Sequence, residues 1–179
     1  MVQYSDEEIL TWIKQASTLE KGYRALMSKY QEKLYYVIKR ILENHDDTDD
    51  VLQNTFIKAF KALNNFEERS SLYTWLYRIA TNEAITFLKS RKAKKTDALD
   101  HHSYMLEEKT GEDFDENLAV KKLELALAEL PERQREVFNM RYYDELSYEQ
   151  ISDLLKTSVG ALKASYHHAV KKIEAQLLA

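Results

Sequence analysis

Between Asp97 and Leu118 the chain carries eight acids (Asp97, Asp100, Glu107, Glu108, Glu112, Asp113, Asp115, Glu116) against Lys109 alone. The stretch DALDHHSYMLEEKTGEDFDENL has few aliphatic residues and no sustained helical period, so it buries too little apolar surface to offset the entropy of ordering its backbone. It is expected to be a flexible acidic linker, and it obliges the rest of the chain to fold as two small units. The expected division is a domain at 1–96, a linker at 97–118 and a domain at 119–179, with no internal repeat.

Both domains read as helical. Three glycines and one proline in 179 residues leave too little punctuation for the many turns of a β-rich fold. Ile9, Leu10, Ile13 and Ala16 suggest a first helix. Tyr23, Leu26, Tyr30, Leu34, Ile38, Ile41 and Leu42 follow at three- and four-residue spacing, the pattern of a long amphipathic helix. Asp46 to Asp50 place acids at the next helix N-terminus, where they suit the macrodipole. That helix buries Val51, Leu52, Thr55, Phe56, Ala59, Phe60 and Leu63 and turns Asp50, Gln53, Asn54 and Lys58 outward. After the loop Asn64–Ser71, in which Ser70 or Ser71 can act as a cap, a last helix runs from about Leu72 to Lys94. The second domain is expected to hold four helices. The first is Leu118–Leu130, and Pro131 opens the second at a position that tolerates it. Ser147 and Gln150 form a capping box, with Leu146 and Ile151 as its hydrophobic staple. The fold class is all-α.

Charge is unevenly distributed. The linker is −7 within a whole-chain net charge of −4, which leaves +3 for the remainder. Lys89, Arg91, Lys92, Lys94 and Lys95 put five cations in seven residues just before the acids. The absence of cysteine excludes disulfides and thiolate metal sites and fits a reducing cytoplasm. No apolar run approaches the roughly 20 residues of a membrane span, and MVQYSDEEIL lacks the basic start and apolar core of a signal peptide. A soluble, cytoplasmic protein without direct membrane insertion is expected.

Ser147–Ile173 reads as a short helix, a three-residue turn and a longer helix, the layout of a helix-turn-helix whose second helix enters the DNA major groove. Val159, Leu162, Tyr166, Ala169, Ile173 and Leu177 should share the buried face, against Ile151, Leu154 and Leu155. Gly160, Lys163, Ala164, His167, His168 and Lys171 are then outward. Lys163 and Lys171 suit phosphates; Ala164 and the two imidazoles can approach base edges. Lys156 occupies the turn, where a left-handed backbone is expected and a lysine carries modest strain.

The helix at TWLYRIATNEAITFLKSRKAKK offers a different surface. Tyr73, Tyr77, Arg78, Thr81 and Asn82 can lie beside Phe66, and Lys89, Arg91 and Lys92 follow. Rings beside cations are what single-stranded DNA requires, because bases stack on rings while cations follow the backbone. A base taken out of the stack also needs hydrogen-bond partners for its edge, which Asn82 can supply. Trp75 is expected in the core. Adjacent His101 and His102 cannot face one ion from a regular element, so no metal site is expected. No Gly-rich phosphate loop, HExxH or nucleophile elbow is present; neither catalytic residues nor a cofactor are expected.

These segments together resemble the extracytoplasmic-function sigma factors of bacterial RNA polymerase, almost from end to end. DDTDDVLQNTFIKAFKALNNF resembles their region 2 helix, which implies that Asp49, Asp50, Gln53, Asn54 and Phe56 dock on the polymerase clamp. SLYTWLYRIATNEAITFLKSRKAKK resembles the segment that captures and melts the −10 element. ELPERQREVFNMRYYDELSYEQISDLL and the following helix resemble region 4, which reads the −35 element. In this chain Ala164–Ser165 stands where Ser-Arg is common, His167–His168 where a bulky residue and Arg are frequent, and Lys156 where the turn usually has Gly. The resemblance implies as partners the core polymerase (clamp and flap), promoter DNA and an anti-sigma factor, and a linker that threads toward the polymerase active centre. The alternatives to weigh are a conventional helix-turn-helix regulator, which would bind DNA tightly by itself, and a helical adaptor that binds only proteins.

Overall fold

The computed structural model describes residues 4–97 and 116–178, with side chains for 4–91 and 121–178. The described residues are helical without strands and fall in two compact units, Met1–Asp100 and His101–Ala179. The expected linker lies for the most part outside them, and with it His101 and His102; Lys94 and Lys95 lie in the described backbone but beyond the described side chains.

Unit 1 holds α1 (Asp6–Ile13), α2 (Leu19–Leu42), α3 (His45–Ala62) and α4 (Leu72–Asp97), with a 3-10 turn at Leu63–Asn65. Ser5 caps α1 through a capping box with Glu8. The helix stops at Ile13, so Ala16, expected within it, is exposed in the connection to α2. There Thr18 Oγ1 donates to the Trp12 carbonyl at 2.9 Å, which closes a turn where a third helical turn would run. Asn44 caps α3, its side chain accepting from the Asp47 amide at 3.0 Å. Ser71 caps α4 by accepting from Thr74 N at 3.1 Å. The core is the meeting of four apolar stripes: Ile9 and Ile13 from α1, Leu26, Leu34 and Ile38 from α2, Val51 and Phe56 from α3, Leu76 and Ala80 from α4. Lys58 reaches Glu83 at 2.6 Å and Arg91 pairs with Asp47, so α3 and α4 run antiparallel.

Unit 2 holds α5 (Glu116–Ala128), α6 (Glu132–Tyr142), α7 (Tyr148–Leu155) and α8 (Val159–Leu177). The first of these starts and ends two residues earlier than expected. Glu116 suits a helix N-terminus, and Leu130, as the residue before Pro131, is biased away from helical backbone. Pro131 is the N-cap of α6 rather than its first residue. Ala126, Leu130, Phe138, Ala169 and Ile173 form one core cluster, with Tyr166 and Val170 packed against it, and Val137, Leu146, Ile151 and Leu162 are fully buried as well. Leu177, expected on the buried face, is 38% exposed, because α8 continues a full turn beyond Ile173.

Candidate nucleic-acid interface

The helix-turn-helix is built from its caps inward. Ser147 Oγ accepts from Gln150 N at 3.2 Å, and Gln150 Oε1 accepts from Ser147 N at 2.8 Å. Leu146 and Ile151 beside it are fully buried. The helix-end amide and the Ser147 hydroxyl hold the Glu149 carboxyl below the usual carboxylate range, helped by Lys163 and Arg141. α7 ends on Lys156, whose backbone is left-handed at φ 52°, ψ 42°. Arg133, from α6, braces that turn: its guanidinium donates to Thr157 Oγ1 at 2.5 Å and lies 3.5 Å from the Leu155 carbonyl. Ser158 then caps α8 by accepting from Ala161 N at 3.3 Å.

Along α8, Leu162, Ala169 and Ile173 point into the core, while Gly160, Lys163, Ala164, His167, His168 and Lys171 are exposed. The His167 and His168 rings lie 6.1 Å apart. Lys163 Nζ sits 5.7 Å from the Tyr148 ring centre, and the Arg141 guanidinium lies 5.2 Å from the same ring. Arg141 also donates to the Leu146 carbonyl at 3.1 Å. Arg133, Arg141 and Tyr148 thus shape this surface, although no periodicity marks them. Only a pairing across helices reveals such roles.

On α4 the structure sorts the expected strip by depth. Arg78, Asn82 and Lys89 are exposed and fall on successive turns of one face, where Ile85, 44% exposed, joins them. Thr81 is half-buried and donates to the Tyr77 carbonyl at 3.0 Å. Tyr73 is half-buried and stacks on Tyr30, with 5.8 Å between ring centres. Phe66 packs on Trp75 at 5.2 Å, and Trp75, expected in the core, is half-buried and packs against it. Tyr77 corrects the expectation: only 5% exposed, it lies under the strip and has no face for a base. Arg91 is half-buried in its pair with Asp47, and Lys92 lies beyond the described side chains.

On α3, Asp49, Asp50, Gln53 and Asn54 are exposed, and Asp49 pairs with His45 at 3.2 Å. Phe56 is 3% exposed and belongs to the core, so it supports this face from beneath and cannot itself meet a partner. Ile57, 42% exposed on the same face, is the residue sequence reasoning missed. Among the described residues no group of three or more His, Asp or Glu side chains could hold a metal, and no helix is long and apolar enough to cross a membrane.

Comparison with known proteins follows the same division. Residues 26–94 match sigma-70 region 2 and residues 121–173 match sigma-70 region 4. The chain is 29% identical over 196 residues to the RNA polymerase sigma-H factor of Pseudomonas aeruginosa, covering 99% of this chain and 96% of that one. It is 29% identical to the ECF RNA polymerase sigma factor SigW of Bacillus subtilis, covering 92% and 95% respectively. Its fold resembles that of the sigma factor RpoE solved with the anti-sigma factor NepR from Bartonella quintana, at a TM-score of 0.64 and 22% identity over 89% of this chain and 98% of that one. It also resembles CnrH, solved with the cytosolic domain of CnrY, at a TM-score of 0.66 and 22% identity over 96% and 97%.

Proposed function

The chain belongs to the sigma-70 family as a factor of the extracytoplasmic-function kind, and we propose that it directs core RNA polymerase to promoters by gripping DNA at two points. The observation that carries this reading is the order of the two matched regions, 26–94 and 121–173, on two separate helical units. The second unit has an exposed basic helix in a helix-turn-helix. The first has an exposed polar stripe along α4 and, at the N-terminal end of that helix, the half-buried ring of Tyr73. The protein does no covalent chemistry of its own and works in the cytoplasm.

In this reading α8 enters the major groove of the −35 element. Lys163 and Lys171 hold phosphates there, while Ala164, His167 and His168 face base edges. The exposed α3 face, with Asp49, Asp50, Gln53 and Asn54, docks on the polymerase clamp. The α4 stripe receives the separated −10 strand. Asn82 offers a side-chain amide to an unstacked base, Arg78 and Lys89 follow the backbone, and Tyr73 supplies a ring. Neither site needs to be strong alone, because core polymerase fixes their spacing and turns the second contact into an intramolecular one. The segment 97–118 lies between them as a tether whose acids can occupy basic channels of the polymerase. An anti-sigma protein, the partner seen with the RpoE relative, is the expected means of holding the factor inactive.

In vitro transcription with core polymerase on genomic DNA, followed by start-site mapping, tests the proposal. Discrete starts that require the protein are expected, together with gel shifts that need core polymerase. Full-strength specific binding by the protein alone would point to a conventional regulator instead. On a promoter so mapped, Asn82→Ala is expected to slow opening, read by permanganate reactivity of unpaired thymines, more than it weakens duplex binding.

A further inference from the structure

Tyr73, on α4, is held from behind by α2 directly and by α1 through it. Its ring stacks on Tyr30, with planes 16° apart. Tyr30 is buried, and its hydroxyl donates to Asp6 at the start of α1. Burial first, and Asp6 second, push the Tyr30 hydroxyl well above its ordinary pKa, so it remains a donor. Asp6 is also paired with Lys29 at 2.7 Å, and Lys29 donates to the Tyr4 carbonyl at 2.8 Å. A ring fixed in this way loses little freedom when a base stacks on it.

One turn past Tyr30, the exposed Lys33 sets its ammonium 5.8 Å from the centre of the Tyr73 ring. A cation next to a stacking platform is the repeating unit of single-strand binding: the ring takes a base and the cation takes the neighbouring phosphate. We propose that Lys33 is a phosphate-contacting residue for the separated −10 strand, so that the strand crosses from α4 onto α2 between Tyr73 and Lys33. This rests on the reading of the α4 stripe given above and extends it to a helix outside that stripe. Lys39 supplies an internal control. It lies on the same helix, 5.8 Å from the Tyr35 ring centre, but six residues on, about 240° around the axis at 3.6 residues per turn.

The test uses reconstituted holoenzyme and a fluorescent single-stranded oligonucleotide of the −10 non-template strand from a mapped promoter, titrated from 0.1 to 1 M KCl. Each phosphate contact on a single strand contributes about 0.7 to the slope of log affinity against log salt. Lys33→Ala is expected to lower that slope by about 0.7 and to weaken binding about fivefold at 0.1 M relative to the difference at 1 M. Lys33→Arg should restore both, and Lys39→Ala should match the wild type. If Lys33→Ala keeps the wild-type slope while Asn82→Ala still weakens binding, the strand does not reach α2 and the α4 reading stands. Equal losses in the Lys33 and Lys39 variants would reduce the effect to general charge and overturn the assignment. A wild-type holoenzyme without affinity for the oligonucleotide would remove both readings.

Discussion

Single residues carry strain in this chain that its composition conceals. Every left-handed position among the described residues, at Glu43, Glu68, Glu145 and Lys156, holds a long charged side chain and none holds glycine. The position of Lys156 was legible in sequence, because a helix-turn-helix leaves only three residues in which to reverse the chain. The three glutamates were not, since glutamate has no local preference for that backbone. Lys156→Gly removes the clash between Cβ and carbonyl and should stabilise unit 2 by about 1 kcal/mol, net of the freedom glycine adds to the unfolded chain. A rise in the urea midpoint checks this, and an unchanged or lower midpoint contradicts it. Gly22 is the reverse case. A Cβ there would lie 2.5 Å from Ile13 Cγ1 and 3.0 Å from the Ile13 amide, so glycine permits the close crossing of α1 and α2. Overpacking of this kind costs about 1–3 kcal/mol, and Gly22→Ala should lower the midpoint of unit 1 accordingly. Sequence could not show this need, because the crossing brings together residues from two helices whose angle no local pattern encodes.

At the scale of the element, helix periods were the most readable signal and surface roles the least. α3 was legible in both its buried and its outward residues, because its 18 residues repeat one apolar stripe over several turns. The motif resemblance, by contrast, made Phe56 a docking residue although the helix period had already put it in the core, and the reading of the α4 strip misplaced the buried Tyr77 as a contact residue. Motif position says which residues recur, whereas depth depends on how α2 and α4 close over them. Ile57 shows the complementary failure: an apolar residue on an outward face looks like noise in a hydrophobic pattern. Beside Asp50, Gln53 and Asn54 it reads instead as the apolar centre of a polar docking face. Burying its remaining exposed methyls against a partner is worth about 1–1.5 kcal/mol, so Ile57→Ala should weaken core-polymerase binding roughly tenfold. Competition against labelled wild-type factor for a limited amount of core measures it. Stability should be unaffected, because the side chain is not part of the core. Unchanged competition would confine the proposed docking face to its polar residues.

For the whole molecule, the deciding quantity is how charge is divided. The segment 97–118 carries −7 and the remainder +3, so the cations offered to DNA share one chain with a larger charge of the sign DNA carries. Repulsion between that segment and DNA reaches over about one Debye length, roughly 10 Å at 0.1 M salt and 3 Å at 1 M. It should therefore oppose non-specific duplex binding by the factor alone, a process that is almost wholly electrostatic. On this reading the net charge of −4 would keep the unaccompanied factor off random DNA, so that promoter contact would wait for core polymerase. Changing the eight acids to Asn and Gln should tighten binding of the protein alone to random duplex at 0.05–0.1 M salt and steepen its salt dependence. The difference from wild type should vanish as salt approaches 1 M. Identical binding curves at all salt concentrations would leave the acids no role beyond joining two domains, and dependence on core would then have to come from the weakness of each DNA site alone.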